Sequence, residues 1–227
     1  MVSVFSLRLD DKLNEIYYQY LVNKASEAIS KKFLEFRNRD DAYRSLFAEF
    51  LARYVAIQHL KVTSNDLMML CSSHGKPYFL GFENFHFNLS HSGEFVVCAI
   101  SDSPVGIDVE KIIPLDIRLM ASNYSLSEQA DLYRQKPETE LSYFYELWTL
   151  KESFIKKSGE GLSKQLDSFS IKIFNDGISI NCDDITTKSV FFKQYDIDRD
   201  CKMAVCAESD DFGEVAGLSL EELVAGF

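Results

Sequence analysis

The stretch Val105-Gly106-Ile107-Asp108-Val109-Glu110 alternates β-branched residues with Gly106, Asp108 and Glu110. A period of two is a strand, and it puts both carboxylates on one face, about 7 Å apart along the backbone. Each acid sits between apolar neighbours, where an unpaired charge is expensive to desolvate. Two carboxylates aimed at one spot ask for a cation. With oxygen ligands alone that cation is Mg²⁺, which completes its octahedron with water and phosphate. Taken by itself, however, the stretch reads more readily as a half-exposed edge strand with two solvated acids, because acidic strand faces are common.

The rest of the chain supplies the context. At 227 residues it suits one large domain or two small ones with a real core. No apolar run approaches the ~20 residues of a membrane span. The start, Met1-Val2-Ser3-Val4-Phe5-Ser6-Leu7-Arg8, lacks the basic and long apolar regions of a signal peptide. Five scattered cysteines have no zinc spacing, and Cys98 and Cys206 lie in apolar runs as small core residues. A reduced, cytoplasmic protein is the expectation. The net charge of −11 argues against nucleic-acid binding. Between Lys24 and Lys61, though, eight Lys/Arg face five Asp/Glu, a basic surface suited to a small polyanion.

In chain order, Val2 to Leu9 reads as a strand. Asp10 or Asp11 caps a helix through Leu21, and a basic helical stretch runs from Lys24 to Phe36. Asp40 opens a helix over Asp41 to Leu60. Leu67–Cys71 is a short segment, and strands are expected at Phe85–Ser90, Glu94–Ser101 and Val105–Glu110, with turns at Ser92-Gly93 and Asp102-Ser103-Pro104. Ser127-Glu128-Gln129 begins a short helix, and Pro137 opens a long one to Lys157. Strands follow at Phe169–Phe174, Ile178–Ile180, Val190–Asp196 and Lys202–Glu208, then a turn of helix near Ser219. Val97-Cys98-Ala99 returns as Val205-Cys206-Ala207, and the element order around each copy is similar. This points to an α+β protein of two similar halves with a ligand site between them. The halves are residues 1–112 and 113–227.

Four stretches carry chemistry. Gly75-Lys76-Pro77 holds an ammonium between a permissive and a rigid residue, or is an ordinary surface turn. Asn88-Leu89-Ser90-His91-Ser92-Gly93 ends a strand in a polar turn, where His91 contacts an anion or caps the turn. In Trp148-Thr149-Leu150-Lys151-Glu152-Ser153-Phe154-Ile155-Lys156, residues 148, 152 and 156 share one helix face. Ser153 to Lys156 also fits Ser-x-x-Lys, but neither Ser-Asp-Asn nor Lys-Thr-Gly accompanies it, which rejects a penicillin-binding site.

Together, Gly-Lys-Pro, Asn-Leu-Ser-His-Ser-Gly, Gly-Ile-Asp-Val-Glu and Trp-x-x-Lys-Glu-Ser-x-x-Lys resemble the two-domain 4′-phosphopantetheinyl transferase family. The likeness includes Gly159-Glu160-Gly161-Leu162-Ser163 and, more thinly, Asp41-Ala42-Tyr43-Arg44 and Met203–Ala207. It implies two α+β halves related by a pseudo-twofold. It also implies Mg²⁺-dependent transfer of phosphopantetheine from coenzyme A to a serine of an acyl or peptidyl carrier protein, releasing adenosine 3′,5′-bisphosphate. Carried over, Asp108, Glu110 and Glu152 are the Mg²⁺ ligands, and Asp108 and Lys156 adjoin the coenzyme A pyrophosphate. Lys76, Pro77, Ser90 and His91 hold the adenosine 3′-phosphate end, with Lys32 and Arg44. Leu34 and Glu35 stand where relatives carry basic residues, with Arg37 or Arg39 as substitutes. Glu152, directly or through a metal-bound water, accepts the serine proton, and Lys156 stabilises the leaving phosphate. Carrier docking is expected near Gly161–Asp167, on a monomer. Two other readings are a Mg²⁺-dependent nucleotide pyrophosphate hydrolase and a non-catalytic carrier-binding module.

Overall fold

Residues 95–100 and 203–207 are unbroken apolar runs, and a strand of that kind must be covered on both faces. In the computed structural model, which describes residues 1–9, 14–25, 38–182 and 190–227, they are the central strands of two sheets. In chain order the strands are β1 (Val2–Arg8), β2 (Met69–Cys71), β3 (Pro77–Phe79), β4 (His86–Ser92), β5 (Phe95–Ser101) and β6 (Gly106–Lys111). They continue with β7 (Phe169–Phe174), β8 (Gly177–Cys182), β9 (Phe191–Tyr195), β10 (Cys201–Ala207) and β11 (Phe212–Leu218). The helices are α1 (Asn14–Lys24), α2 (Arg39–Leu60), α3 (Ile117–Met120), α4 (Leu126–Leu132), α5 (Pro137–Ser158) and α6 (Leu220–Val224). The expected Asp10 or Asp11 cap and most of the basic 24–36 stretch lie outside the described residues.

Local chemistry sets the ends of the long helices. Asn38, rather than Asp40, caps α2 by accepting from the Asp40 N–H, and the two aspartates fall in the first turn, where the helix dipole favours them. Pro137 opens α5 as expected, and Gly159 closes it at φ +76°, a left-handed cap that suits glycine.

One sheet runs β11-β1-β5-β4 and the other β6-β10-β9. In each, the central strand is antiparallel to the two neighbours on which the internal echo rests. Val97 pairs with Ser6 and Ser90, and Val205 pairs with Ile107 and Lys193. Alternation then sorts the faces. Phe95, Val97 and Ala99 meet Val205, Ala207, Ile107 and Val109 in a core between the sheets. Val96, Cys98 and Ile100 face the cluster built on α2, while Ala204 and Cys206 face α5. The order is therefore helix, sheet, sheet, helix, and the fold is α+β. Cys98 and Cys206 are core residues, as read from the sequence.

Two features depart from the sequence reading. β6 does lie at the edge of its sheet, but it is not half-exposed and its acids are not both solvated: Val105, Ile107 and Val109 are fully buried and Asp108 is 3% exposed. Also, β6 pairs with β10, and β11, which the sequence reading left out, runs parallel to β1 with Val2 opposite Phe212. Each sheet therefore holds a strand from the far side of the chain.

Candidate active site

Strands β4 and β6 lie side by side without a backbone ladder. Three side chains of β4, one every second residue, take its place. The Ile107 N–H donates to Asn88 Oδ1 (2.9 Å), the Val109 N–H to Ser90 Oγ (3.3 Å) and the Lys111 N–H to Ser92 Oγ (3.1 Å). Without these acceptors the amides on that edge of β6 would be left unpaired as the two sheets close. The serine hydroxyls then donate onward, Ser90 to Asp108 Oδ1 (2.9 Å) and Ser92 to Glu110 Oε2 (2.8 Å). One face of β4 thus both joins the two sheets and aims the two carboxylates.

The other wall is α5. A Cβ on Gly106 would stand 2.0 Å from the Ser153 carbonyl oxygen and 2.4 Å from the Lys157 nitrogen, so the helix backbone lies directly on the start of β6. The residues opposite Gly106 and Asp108 on β10 are Cys206 and Ala204, small enough for that approach. Two residues on from Gly106, the Lys156 ammonium donates to Asp108 Oδ1 (2.6 Å) and Ser90 Oγ (2.9 Å). Ser153 is buried and donates to the Leu150 carbonyl, which removes it as a nucleophile.

Asp108, Glu110, Glu152 and Lys156 line one cavity of about 490 Å³ with Ser45 and His91. Burial, then the neighbouring Asp108, holds the Glu110 and Glu152 carboxyls above the usual range. Burial also raises Asp108, against the pull of Lys156 and Ser90. Asp108 Oδ2 is buried with no hydrogen-bond partner. Three crowded, desolvated carboxylates and an orphaned oxygen fit a hard divalent cation. Among the described residues, no three His, Cys, Asp or Glu side chains are already arranged to hold one.

A second cavity, of about 560 Å³, shares Glu152 and Lys156 with the first and is also lined by Gly161, Lys164 and Asp167. Pro77 lines both cavities. His91 lies 3.4 Å from Ser45 Oγ, and burial with the nearby Arg44 and Lys156 cations lowers its pKa. Arg44 itself pairs with Asp41 (2.7 Å) and donates to the Gly93 carbonyl, in a neighbouring cavity with Arg39 and Lys111. Arg39 is paired with Glu15. Lys32, Leu34, Glu35 and Arg37 lie outside the described residues. The Lys76 ammonium is turned to main-chain carbonyls; burial, then Lys157, brings its pKa down to about 8.

Sequence reasoning missed Asn88, Ser92 and Ser45. The alternation Asn88, Ser90, Ser92 on a strand was the available signal for the first two. Lys151, inside the motif but unassigned, is fully buried on Glu128 (2.6 and 2.8 Å) and the Phe169 carbonyl (3.0 Å).

The family model described as "4'-phosphopantetheinyl transferase superfamily" matches residues 104–206, and "4'-phosphopantetheinyl transferase, N-terminal" matches residues 15–103. The 4'-phosphopantetheinyl transferase Sfp of Bacillus subtilis is 35% identical over 225 residues, 98% of this chain and 100% of that protein. The chain belongs to the 4′-phosphopantetheinyl transferase family. It is thus an enzyme of that class. The transferase gsp of Aneurinibacillus migulanus is 34% identical, over 86% of this chain and 76% of that protein. The human L-aminoadipate-semialdehyde dehydrogenase-phosphopantetheinyl transferase is 31% identical, over 56% of this chain and 45% of that one. The border between the two family models falls in the Asp102–Pro104 turn between β5 and β6. Among the described residues no helix is long and apolar enough to cross a membrane.

Proposed function

We propose that this transferase moves the 4′-phosphopantetheine group of coenzyme A to a serine of an acyl or peptidyl carrier protein. The reading rests on one observation: Asp108, Glu110, Glu152 and Lys156 line a single cavity between a strand and a helix. The serine oxygen forms a new bond to the phosphorus that carries the pantetheine. The bond from that phosphorus to the bridging oxygen breaks, and adenosine 3′,5′-bisphosphate leaves. Glu152, whose raised pKa suits a base, accepts the serine proton. Lys156 neutralises charge on the leaving phosphate. His91 and Ser45, with Arg44 close by, suit the ribose 3′-phosphate. The free oxygen of Asp108, with Glu110 and Glu152, would hold Mg²⁺, which would supply neutralisation of the pyrophosphate charge. Every residue in this set comes from one chain, which supports a monomer, and we place it in the cytoplasm.

The test is incubation with coenzyme A, Mg²⁺ and a panel of apo-carriers, followed by mass spectrometry. One phosphopantetheine added to a carrier serine is the expected result. Asp108→Ala should abolish it while the circular dichroism spectrum is kept. Bisphosphate released without any carrier would identify a pyrophosphate hydrolase. Carrier binding without a mass change would identify a binding module. Full activity in excess EDTA would remove the metal.

A further inference from the structure

Lys76 has a different place from the one its Gly-Lys-Pro setting suggested. Its ammonium donates to the carbonyl oxygens of Val105 (3.0 Å), Lys156 (2.6 Å) and Lys157 (3.1 Å). An ammonium has three N–H donors, and all three are engaged. Two of these carbonyls belong to the last turn of α5, where the helix offers no donors of its own and its dipole favours a cation. The third immediately precedes β6. The lysine stem passes Gly159, whose absent Cβ would lie 3.5 Å from Lys76 Cδ. The end of α5 is therefore held twice, by backbone contact at Gly106 and by this ammonium.

The two grips meet in one residue. Lys76 holds the Lys156 carbonyl at 2.6 Å, and the Lys156 ammonium reaches Asp108 at 2.6 Å. Glu152 stands one helical turn earlier on the same face. We propose that Lys76 is a positioning residue, fixing α5 on β6 so that Glu152 and Lys156 face Asp108 and Glu110, and that it does not bind the coenzyme A phosphate. This rests on the transferase reading above.

The experiment measures kcat and KM for coenzyme A and for 3′-dephospho-coenzyme A, with the melting temperature, in Lys76→Met and the unaltered protein. Displacing a reacting group by about 1 Å costs up to about 100-fold, so kcat should fall by about 10- to 100-fold. KM for coenzyme A and the preference over the dephospho form should stay within about two-fold of the unaltered protein. A raised KM with loss of that preference would assign Lys76 to the 3′-phosphate and overturn the proposal. A lower melting temperature with unchanged kcat at 25 °C would leave only a structural role and overturn it too. Lys76→Arg keeps the charge but spreads its donors in a plane, so it cannot meet three carbonyls from one point. It should lower kcat as Met does, and it carries the test if the Met variant does not fold; undiminished kcat in Lys76→Arg overturns the proposal. Failure of the unaltered protein to modify any carrier counts against the transferase reading, whereas losses confined to the variants bear on Lys76.

Discussion

Glu152 shows what the site demands of a single side chain. Burial, then the Asp108 charge, raises its carboxyl pKa, so the folded protein holds that proton more tightly than the unfolded chain. A raised carboxyl contributes stability below its ordinary pKa and loses that contribution as pH rises through the folded value. In EDTA, Glu152→Gln should therefore melt higher than the unaltered protein at neutral pH, and the gap should close towards about pH 4. Thermal melts across that range decide it; a gap independent of pH would show that the carboxylate carries no such strain. The residue scale was also where the sequence was most deceptive. Asp108, Glu110, Glu152 and Lys156 could be named because alternation and helical spacing put them on defined faces and because the motifs that hold them resemble those of the transferase family. The direction of the Lys76 ammonium could not, since its partners are main-chain carbonyls far along the chain.

At the scale of elements, α5 was legible from end to end: Pro137 begins it and Gly159 ends it. β5 and β10 were legible as apolar runs. β11 was not, because Phe212–Leu218 carries two glycines and a glutamate and depends on β1 for its pairing. How α5 is seated was also hidden, since a lysine within a helix gives no sign of full burial. Lys151 is matched by Glu128, which also accepts from Ser125 and from the Ile171 N–H. Lys151→Met would leave that carboxylate buried and unpaired, a loss of about 3–5 kcal/mol when one partner of such a pair is removed. Urea denaturation measures it, and a change under about 1 kcal/mol would mean that water reaches Glu128.

The whole molecule is two sheets, each covered by a long helix, laced together across the chain. β6 completes a sheet with β10, and β11 completes the other with β1. A fragment ending at residue 112 should accordingly leave β6 without its backbone partner and β1 with an open edge. It should lack cooperative unfolding by circular dichroism, and a sharp two-state melt of that fragment would disprove the mutual dependence. The internal echo of Val97-Cys98-Ala99 made the central strands of the two sheets visible. The lacing was not visible, because strand pairing at long range leaves no mark in either local sequence.

The parallel pairing of Val2 with Phe212 also fixes an order of events at the ribosome. Strand β1 waits, unpaired on one side, until Phe212–Leu218 has emerged. Tyr17 and Glu221 meet across the same interval. The cavity lined by His91, Glu152 and Lys156 therefore cannot be finished before α5 has been made, and a chain truncated before β11 leaves the ribosome with an adhesive edge rather than a smaller enzyme.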